Sequence, residues 1–228
     1  MSQCAWHNAV SLMSSNLVKI ENRSCVGSGV LFQLPVGARY NRCVLTAHHV
    51  IEKALATKGP IVVTPENDRK SQLTVSKWAI VDNEPHDHAI VMFNVSASFP
   101  ALCPYDTLPA TKSFKPGVEI GWMGYPGLRL LKGDPPNVAC FSHGYISAYL
   151  AQEQAYLIDG VSIHGMSGGP AFVCNDNGGV VLAGIVTNYF ANRRPDGTVL
   201  PGMAMFRTIK SIQKYYESER ARNSVIKA

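Results

Sequence analysis

No stretch of the 228-residue chain is apolar for long enough to span a membrane, so no membrane partner is expected. The opening residues, MSQCAWHNAVSLMSSNLVKIE, lack the cationic start, continuous apolar core and small-residue cleavage site of a secretory leader. If Met1 is the natural start, the expectation is a cytoplasmic or otherwise intracellular protein. Neither C-x-x-C nor H-E-x-x-H occurs, and no metal or other cofactor is expected. His86-Asp87-His88 puts two imidazoles on one face of a strand, but a metal site there is not the expectation. Internal repeats and low-complexity linkers are absent as well. Charge is sparse: 16% of residues are Asp, Glu, Lys or Arg, with a net charge of +5. This mild basicity permits acidic or nucleic-acid partners without demanding them, and nucleic acid is not an expected partner. The local cluster Arg193-Arg194 adjoins Pro195-Asp196-Gly197 and reads as a turn, while the charges from Lys210 to Lys227 alternate in sign like a solvated helix face.

What is present is an ordinary globular composition, 46% hydrophobic, in a chain long enough for one large all-β unit or two small domains. The six cysteines (Cys4, Cys25, Cys43, Cys103, Cys140 and Cys174) are scattered, and mostly reduced, buried thiols are expected. Ala5, Trp6, Ala9, Val10, Met13 and Leu17 recur at helical spacing, which predicts a short N-terminal helix. Beyond it the texture changes to short β-rich runs: LVKI, GVLFQL, RCVLTA, IVVTP, LTVSKWAIV, AIVMFNV, VEIGWMG, HGYISAYL, AYLIDGV, PAFVCN, VVLAGIVTNYF and GMAMF. Gly, Pro, Asn and Asp separate them, and Asp176-Asn177-Gly178-Gly179 and Pro195-Asp196-Gly197 read as hairpin connections. The pattern suggests a β-sandwich or a pair of barrels. A segment near Ser96 to Thr111 would join two lobes. Thr208 to about Arg222, with Ile209, Ile212, Tyr215 and Tyr216 on one face, predicts an amphipathic C-terminal helix capped by Thr208.

Chemistry concentrates in IHGMSGGPAF, residues 163–172. Gly165 to Gly169 match G-x-S-x-G, the nucleophile elbow of α/β-hydrolases. That fold orders its residues serine, acid, histidine. The seven histidines here (His7, His48, His49, His86, His88, His143 and His164) all precede Ser167, and the βαβ alternation is missing. The order left is histidine, acid, serine. The apolar run Cys43-Val-Leu-Thr-Ala ends in His48-His49, either of which offers a base. Asp82 and Glu84 compete with Asp87 for the acid, and Asp87 is preferred because an apolar strand follows it directly. Asp159 reads as structural.

Thr46-Ala47-His48-His49 resembles the T-A-x-H segment of chymotrypsin-like serine proteases, which places His49 as the base. Asp87-His88-Ala89-Ile90-Val91 resembles the acid segment of that family, and Gly165-Met166-Ser167-Gly168-Gly169-Pro170 its nucleophile loop. Gly27-Ser28-Gly29-Val30, Gly124-Tyr125-Pro126-Gly127, Gly144-Tyr145-Ile146-Ser147, Gly184-Ile185-Val186-Thr187 and Gly202-Met203-Ala204-Met205-Phe206 are similar to segments of the high-temperature-requirement (Deg-type) branch. The resemblance implies two six-stranded antiparallel barrels in one trypsin-like domain over 1–228. Its barrels would cover about 16–98 and 112–206, with the C-terminal helix at about 208–222 and no PDZ-type module following.

It also implies a serine endopeptidase acting on a protein or peptide substrate. Ser167 would be the nucleophile, His49 the base and Asp87 its support. Gly165 and Ser167 would supply oxyanion-hole N–H groups, with Met166 contributing geometry. Thr187 corresponds to a hydroxyl residue that supports the acid, and it lines the primary pocket with Val161, Ser162, Ile163, His164, Asn188, Tyr189 and Gly202. Val161 at the pocket floor carries no charge, so an uncharged, apolar or small P1 side chain is expected. Val50 and Ile163 stand where secreted relatives carry disulfide cysteines, in keeping with a reducing compartment. Met166 stands where a zymogen-switch aspartate would be, so trypsin-type activation cleavage is not expected. A catalytically silent peptide-binding module and a viral polyprotein-processing protease share this fold and are the alternatives.

Overall fold

The structure is a computed structural model. It describes residues 6–22, 25–33, 40–83, 86–96, 113–127, 138–174 and 179–208, with the backbone alone at 81–83, 189–193 and 199–201. Helix α1 (Trp6–Ser14) forms where the apolar spacing predicts it and buries Ala9 and Met13. Six strands and a second helix follow: β1 (Leu17–Asn22), β2 (Cys25–Gln33), β3 (Arg42–Thr46), α2 (His48–Thr57), β4 (Ile61–Pro65), β5 (Leu73–Val75) and β6 (Ala79–Asn83). Then come β7 (His88–Phe93), β8 (Glu119–Gly124), β9 (Cys140–Leu150), β10 (Ala155–Val161), β11 (Pro170–Cys174), β12 (Val180–Arg193) and β13 (Val199–Thr208).

The strands form two antiparallel units. The first is a seven-stranded half-barrel in the order β5-β4-β1-β2-β3-β7-β6; the second is a closed six-stranded barrel, β10-β13-β12-β11-β8-β9. This is the chymotrypsin-like, all-β arrangement of two lobes. Strands β3 and β7, interior neighbours in the first sheet, are buried at every position, as continuous apolar runs require. The run LTVSKWAIV, read as one strand, divides into β5 and β6 around Ser76-Lys77-Trp78. Helix α2 is an element the sequence reading did not anticipate. Its first turn carries His48 and His49, and Val50, Ile51 and Ala54 bury its inner face.

Each lobe has its own core, one around Ile20, Leu31, Val44 and Val91 and the other around Trp122, Ile146, Ile158 and Phe206. A third cluster joins them: Met13, Leu17, Val30 and Leu45 pack with Met123, Phe172, Leu182 and Ile185. Between the lobes the Tyr125 hydroxyl donates to Glu66 Oε2 at 2.6 Å, while the Trp6 indole N–H donates to Glu119 Oε1 at 2.9 Å and holds α1 to the closed barrel. Cys25, Cys43 and Cys140 are free thiols, whereas Cys174 is disulfide-bonded. Burial pushes the Cys43 thiol up to about 12, so it is unreactive. The expected joining segment, the C-terminal helix beyond Thr208, Cys4, Cys103, Glu84 and most of the Asp176–Gly179 turn lie outside the described residues. Among the described residues no helix is long and apolar enough to cross a membrane.

Candidate active site

Asp87 lies in the turn that leads into β7, with a left-handed φ of +50° that aspartate tolerates better than most residues. From there it closes the N-terminus of α2, whose first N–H groups have no partner within the helix. The Asp87 carbonyl accepts the His48 N–H at 3.2 Å, and its Oδ1 accepts the His49 N–H at 3.0 Å. The same carboxylate meets the His49 ring, with Nδ1 2.8 Å from Oδ2 and 3.1 Å from Oδ1. One carboxylate therefore caps a helix and orients the imidazole that the helix begins with. His48 contributes only its backbone to this arrangement.

Next to Asp87, His88 is buried and hydrogen-bonded to the backbone of Arg207 on β13, which links the two lobes. Burial, reinforced by the Arg207 charge, lowers its pKa to about 4. Arg207 itself pairs with Glu153 at 3.1 Å.

The loop from Ile163 to Gly169 reaches the same region from the closed barrel. A Cβ at Gly168 (φ +84°) would fall 2.1 Å from the Ser28 carbonyl oxygen, 2.2 Å from Thr46 Oγ1 and 3.0 Å from the Ala47 nitrogen. The Ser167 loop thus abuts the residues immediately before His48-His49, and only glycine fits at that contact. Met166 N–H donates to the Ile163 carbonyl at 3.0 Å, closing a four-residue turn. Gly165 in its third position has a φ of +97°, the type II form.

The carbonyls of 164–167 are all occupied. His164 accepts from the Gly127 N–H (2.7 Å), Gly165 from Ser28 Oγ (2.8 Å), Met166 from the Gly169 N–H (3.0 Å) and Ser167 from the Ser28 N–H (2.8 Å). Among the described residues the N–H groups of Gly165 and Ser167 donate to nothing, and each points away from the carbonyl of its own peptide, His164 for Gly165 and Met166 for Ser167. Met166 contributes its turn and a buried side chain, because its own N–H is already engaged.

The Ser167 hydroxyl donates to the Thr187 carbonyl at 3.2 Å. That carbonyl is turned toward the loop by a β-bulge in β12, where Val186 pairs with Phe206 and Asn188 with Met205, leaving Thr187 as the extra residue. The Thr187 hydroxyl, expected to support the acid, is buried and makes no hydrogen bond among the described residues, so it does not reach Asp87. Val161 is 44% exposed at the end of β10, where a pocket floor was expected. Ser162 is buried, Ile163 packs against the second core, and His164 and Asn188 are exposed. Gly202 is half-buried on β13, and Tyr189 is placed on β12 by its backbone pairing to Ala204. Asp159 lies on β10 with its carbonyl against Gly144.

The profile of the trypsin-like peptidase domain matches residues 27–183, which hold His49, Asp87 and Ser167. The chain belongs to the trypsin-like peptidase family. As a trypsin-like peptidase it is a hydrolase of the serine protease class, acting on protein or peptide substrates. Its solved neighbours share the fold at low identity. The Rv3671c protease of M. tuberculosis, in an inactive form, is 18% identical with a TM-score of 0.58 over 93% of this chain and 90% of its own. Deg5 is 17% identical with a TM-score of 0.61, covering 91% of this chain and 90% of its own. The HtrA-type protease AlgW, solved with a decapeptide, is 18% identical with a TM-score of 0.63 over 96% of this chain and 68% of its own. No curated protein sequence matches the chain significantly.

Two contributors escaped the sequence reading. Ser28 was seen only as part of a G-S-G strand, and Tyr125 only as part of a G-x-P-x-G segment. For Ser28 the signal available was a polar residue inside an otherwise apolar strand, since a buried hydroxyl needs partners.

Proposed function

We propose that the chain is a serine endopeptidase working through an acyl-enzyme, with Ser167 as nucleophile, His49 as general base and acid, and Asp87 as the group that orients His49. The observation that carries this reading is the His49–Asp87 pair at 2.8 Å, built on the N-terminus of α2 and met by the serine loop. On substrate binding, the Ser167 hydroxyl leaves the Thr187 carbonyl by rotation about χ1, a move between staggered wells, and turns to His49 Nε2. His49 takes the proton as Oγ bonds to the scissile carbonyl carbon. The negative oxygen is received by the N–H groups of Gly165 and Ser167, which the loop leaves without internal acceptors. His49 then returns the proton to the departing amine, and water repeats the sequence to free the acid product.

The candidate pocket carries Val161 where an acid would select Lys or Arg, which supports an uncharged, apolar or small P1 residue. A fluorophosphonate probe is expected to label the wild type at Ser167, and Ser167→Ala to abolish labelling with a loss of about 10⁶ in kcat. Peptide-library cleavage by the same pair reads the P1 preference. A folded wild type that never takes the probe would overturn the reading in favour of a silent binding module.

A further inference from the structure

We infer that Ser28 is a positioning residue for the oxyanion-binding loop, acting through its hydroxyl on the Gly165–Met166 peptide. The inference rests on the catalytic reading above. Ser28 is fully buried on β2, in the first lobe, yet both partners of its hydroxyl are in the second. Its Oγ accepts the Tyr125 N–H at 2.9 Å. With that acceptor site taken, its single proton points to the Gly165 carbonyl at 2.8 Å. Its backbone N–H holds the Ser167 carbonyl at 2.8 Å, and its backbone carbonyl accepts the Thr46 hydroxyl at 2.7 Å. One residue thus ties together the strand leading to His49, the end of β8 and the nucleophile loop.

The consequence for the loop follows from peptide geometry. In a trans peptide, the C=O and the following N–H point in opposite directions. Holding the His164 carbonyl on Gly127 therefore turns the Gly165 N–H outward, and holding the Met166 carbonyl on Gly169 does the same for the Ser167 N–H. The peptide between these two donors must be fixed as well, or they lose their common aim. Its carbonyl is held by Ser28 Oγ and its N–H by the Ile163 carbonyl at 3.0 Å. The other three carbonyl anchors in this run are backbone N–H groups. Ser28 Oγ is the anchor that a side-chain substitution removes.

In Ser28→Ala, the Gly165 carbonyl loses its donor in a buried setting, which is costly enough to favour rotation of that peptide. Rotation breaks the Met166–Ile163 bond and releases the turn carrying the Gly165 N–H. Losing an oxyanion donor outright lowers rate by roughly 10²–10³. Losing its alignment is expected to lower kcat by about 10- to 100-fold, with KM within about 2-fold, because the misplaced groups serve the transition state. Ser28→Cys, a similar shape with a weaker donor, is expected to fall between wild type and Ser28→Ala.

The test measures kcat and KM of the three proteins, together with hydrogen exchange of the Met166 amide relative to amides of β3. Expected is Met166 exchange at least about 10-fold faster in Ser28→Ala than any change in β3, which reports global opening. Unchanged kcat with parallel exchange at both places would overturn the inference, since a merely stabilising Ser28 moves both together. Should Ser28→Ala fail to fold, Ser28→Cys is read by the same two criteria. A wild type that neither cleaves peptide nor takes the fluorophosphonate defeats the proposed function, while the Met166 exchange still decides whether Ser28 holds the loop.

Discussion

Asp87 makes more contacts than its role in orienting His49 requires. It holds the imidazole, accepts the His49 N–H in the first turn of α2 on a carboxylate oxygen and accepts the His48 N–H on its carbonyl. These tasks separate by substitution. Asp87→Asn keeps a side-chain acceptor for the His49 N–H and loses the charge, so kcat is expected to fall by about 10⁴ with the melting temperature near wild type. Asp87→Ala also loses the helix cap and is expected to be less stable by roughly 1–2 kcal/mol. Activity assays and thermal melts on the pair check this, and an Asp87→Asn enzyme with wild-type kcat would contradict it. In the sequence the histidine, acid, serine order set aside the α/β-hydrolase reading, and the resemblance of three segments then pointed to His49, Asp87 and Ser167 as the proposed trio. The Thr187 hydroxyl was misread because its direction depends on a one-residue bulge, which leaves no mark in composition. Ser28 was illegible for a related reason: its partners come from Tyr125 and Gly165 in the other lobe.

At the scale of elements, strands were the most readable feature, because alternation and β-branched runs are local signals. Helix α2 was not, since VIEKALAT follows the histidines with no side-chain cap of its own; its cap is Asp87, far away in sequence. The split between β5 and β6 was hidden by an apolar residue, Trp78, whose indole N–H turns to the Gly59 carbonyl at 3.4 Å. The loop connecting β10 to β11 depends on Gly168 as a matter of space as well as conformation. Gly168→Ala places a methyl against the Ser28 carbonyl and the Thr46 hydroxyl at a left-handed φ. A loss of stability above about 3 kcal/mol and no fluorophosphonate labelling are expected. Chemical denaturation measures the first and gel-based labelling the second; a variant as stable and reactive as wild type would show that the loop does not sit against Thr46.

For the whole molecule, the lobes are joined by a shared apolar cluster, the Tyr125–Glu66 bond, and the buried His88 hydrogen-bonded to Arg207. His88 makes that junction sensitive to acid. Its folded pKa of about 4 lies below the ordinary 6.5, so between these values the unfolded chain binds a proton that the folded chain refuses. Its contribution is therefore whole above about pH 6.5 and is lost as pH falls toward 4, by up to about 3 kcal/mol. The charges acting on it are Arg207, Asp87 and His86. His88→Gln is expected to flatten the stability profile across that window, read by urea denaturation from pH 7 to 4.5, and identical slopes for the two proteins would refute the assignment. The link from Ser28 to Ser167 also has a bearing on biosynthesis. A nascent chain that has folded only its first lobe carries His49 and Asp87 without a nucleophile, and the second lobe alone carries Ser167 without a base. Contacts this distant along the chain are among the slowest to form. On the proposed chemistry, cutting power therefore arrives only when the lobes dock, once the strands of both are formed.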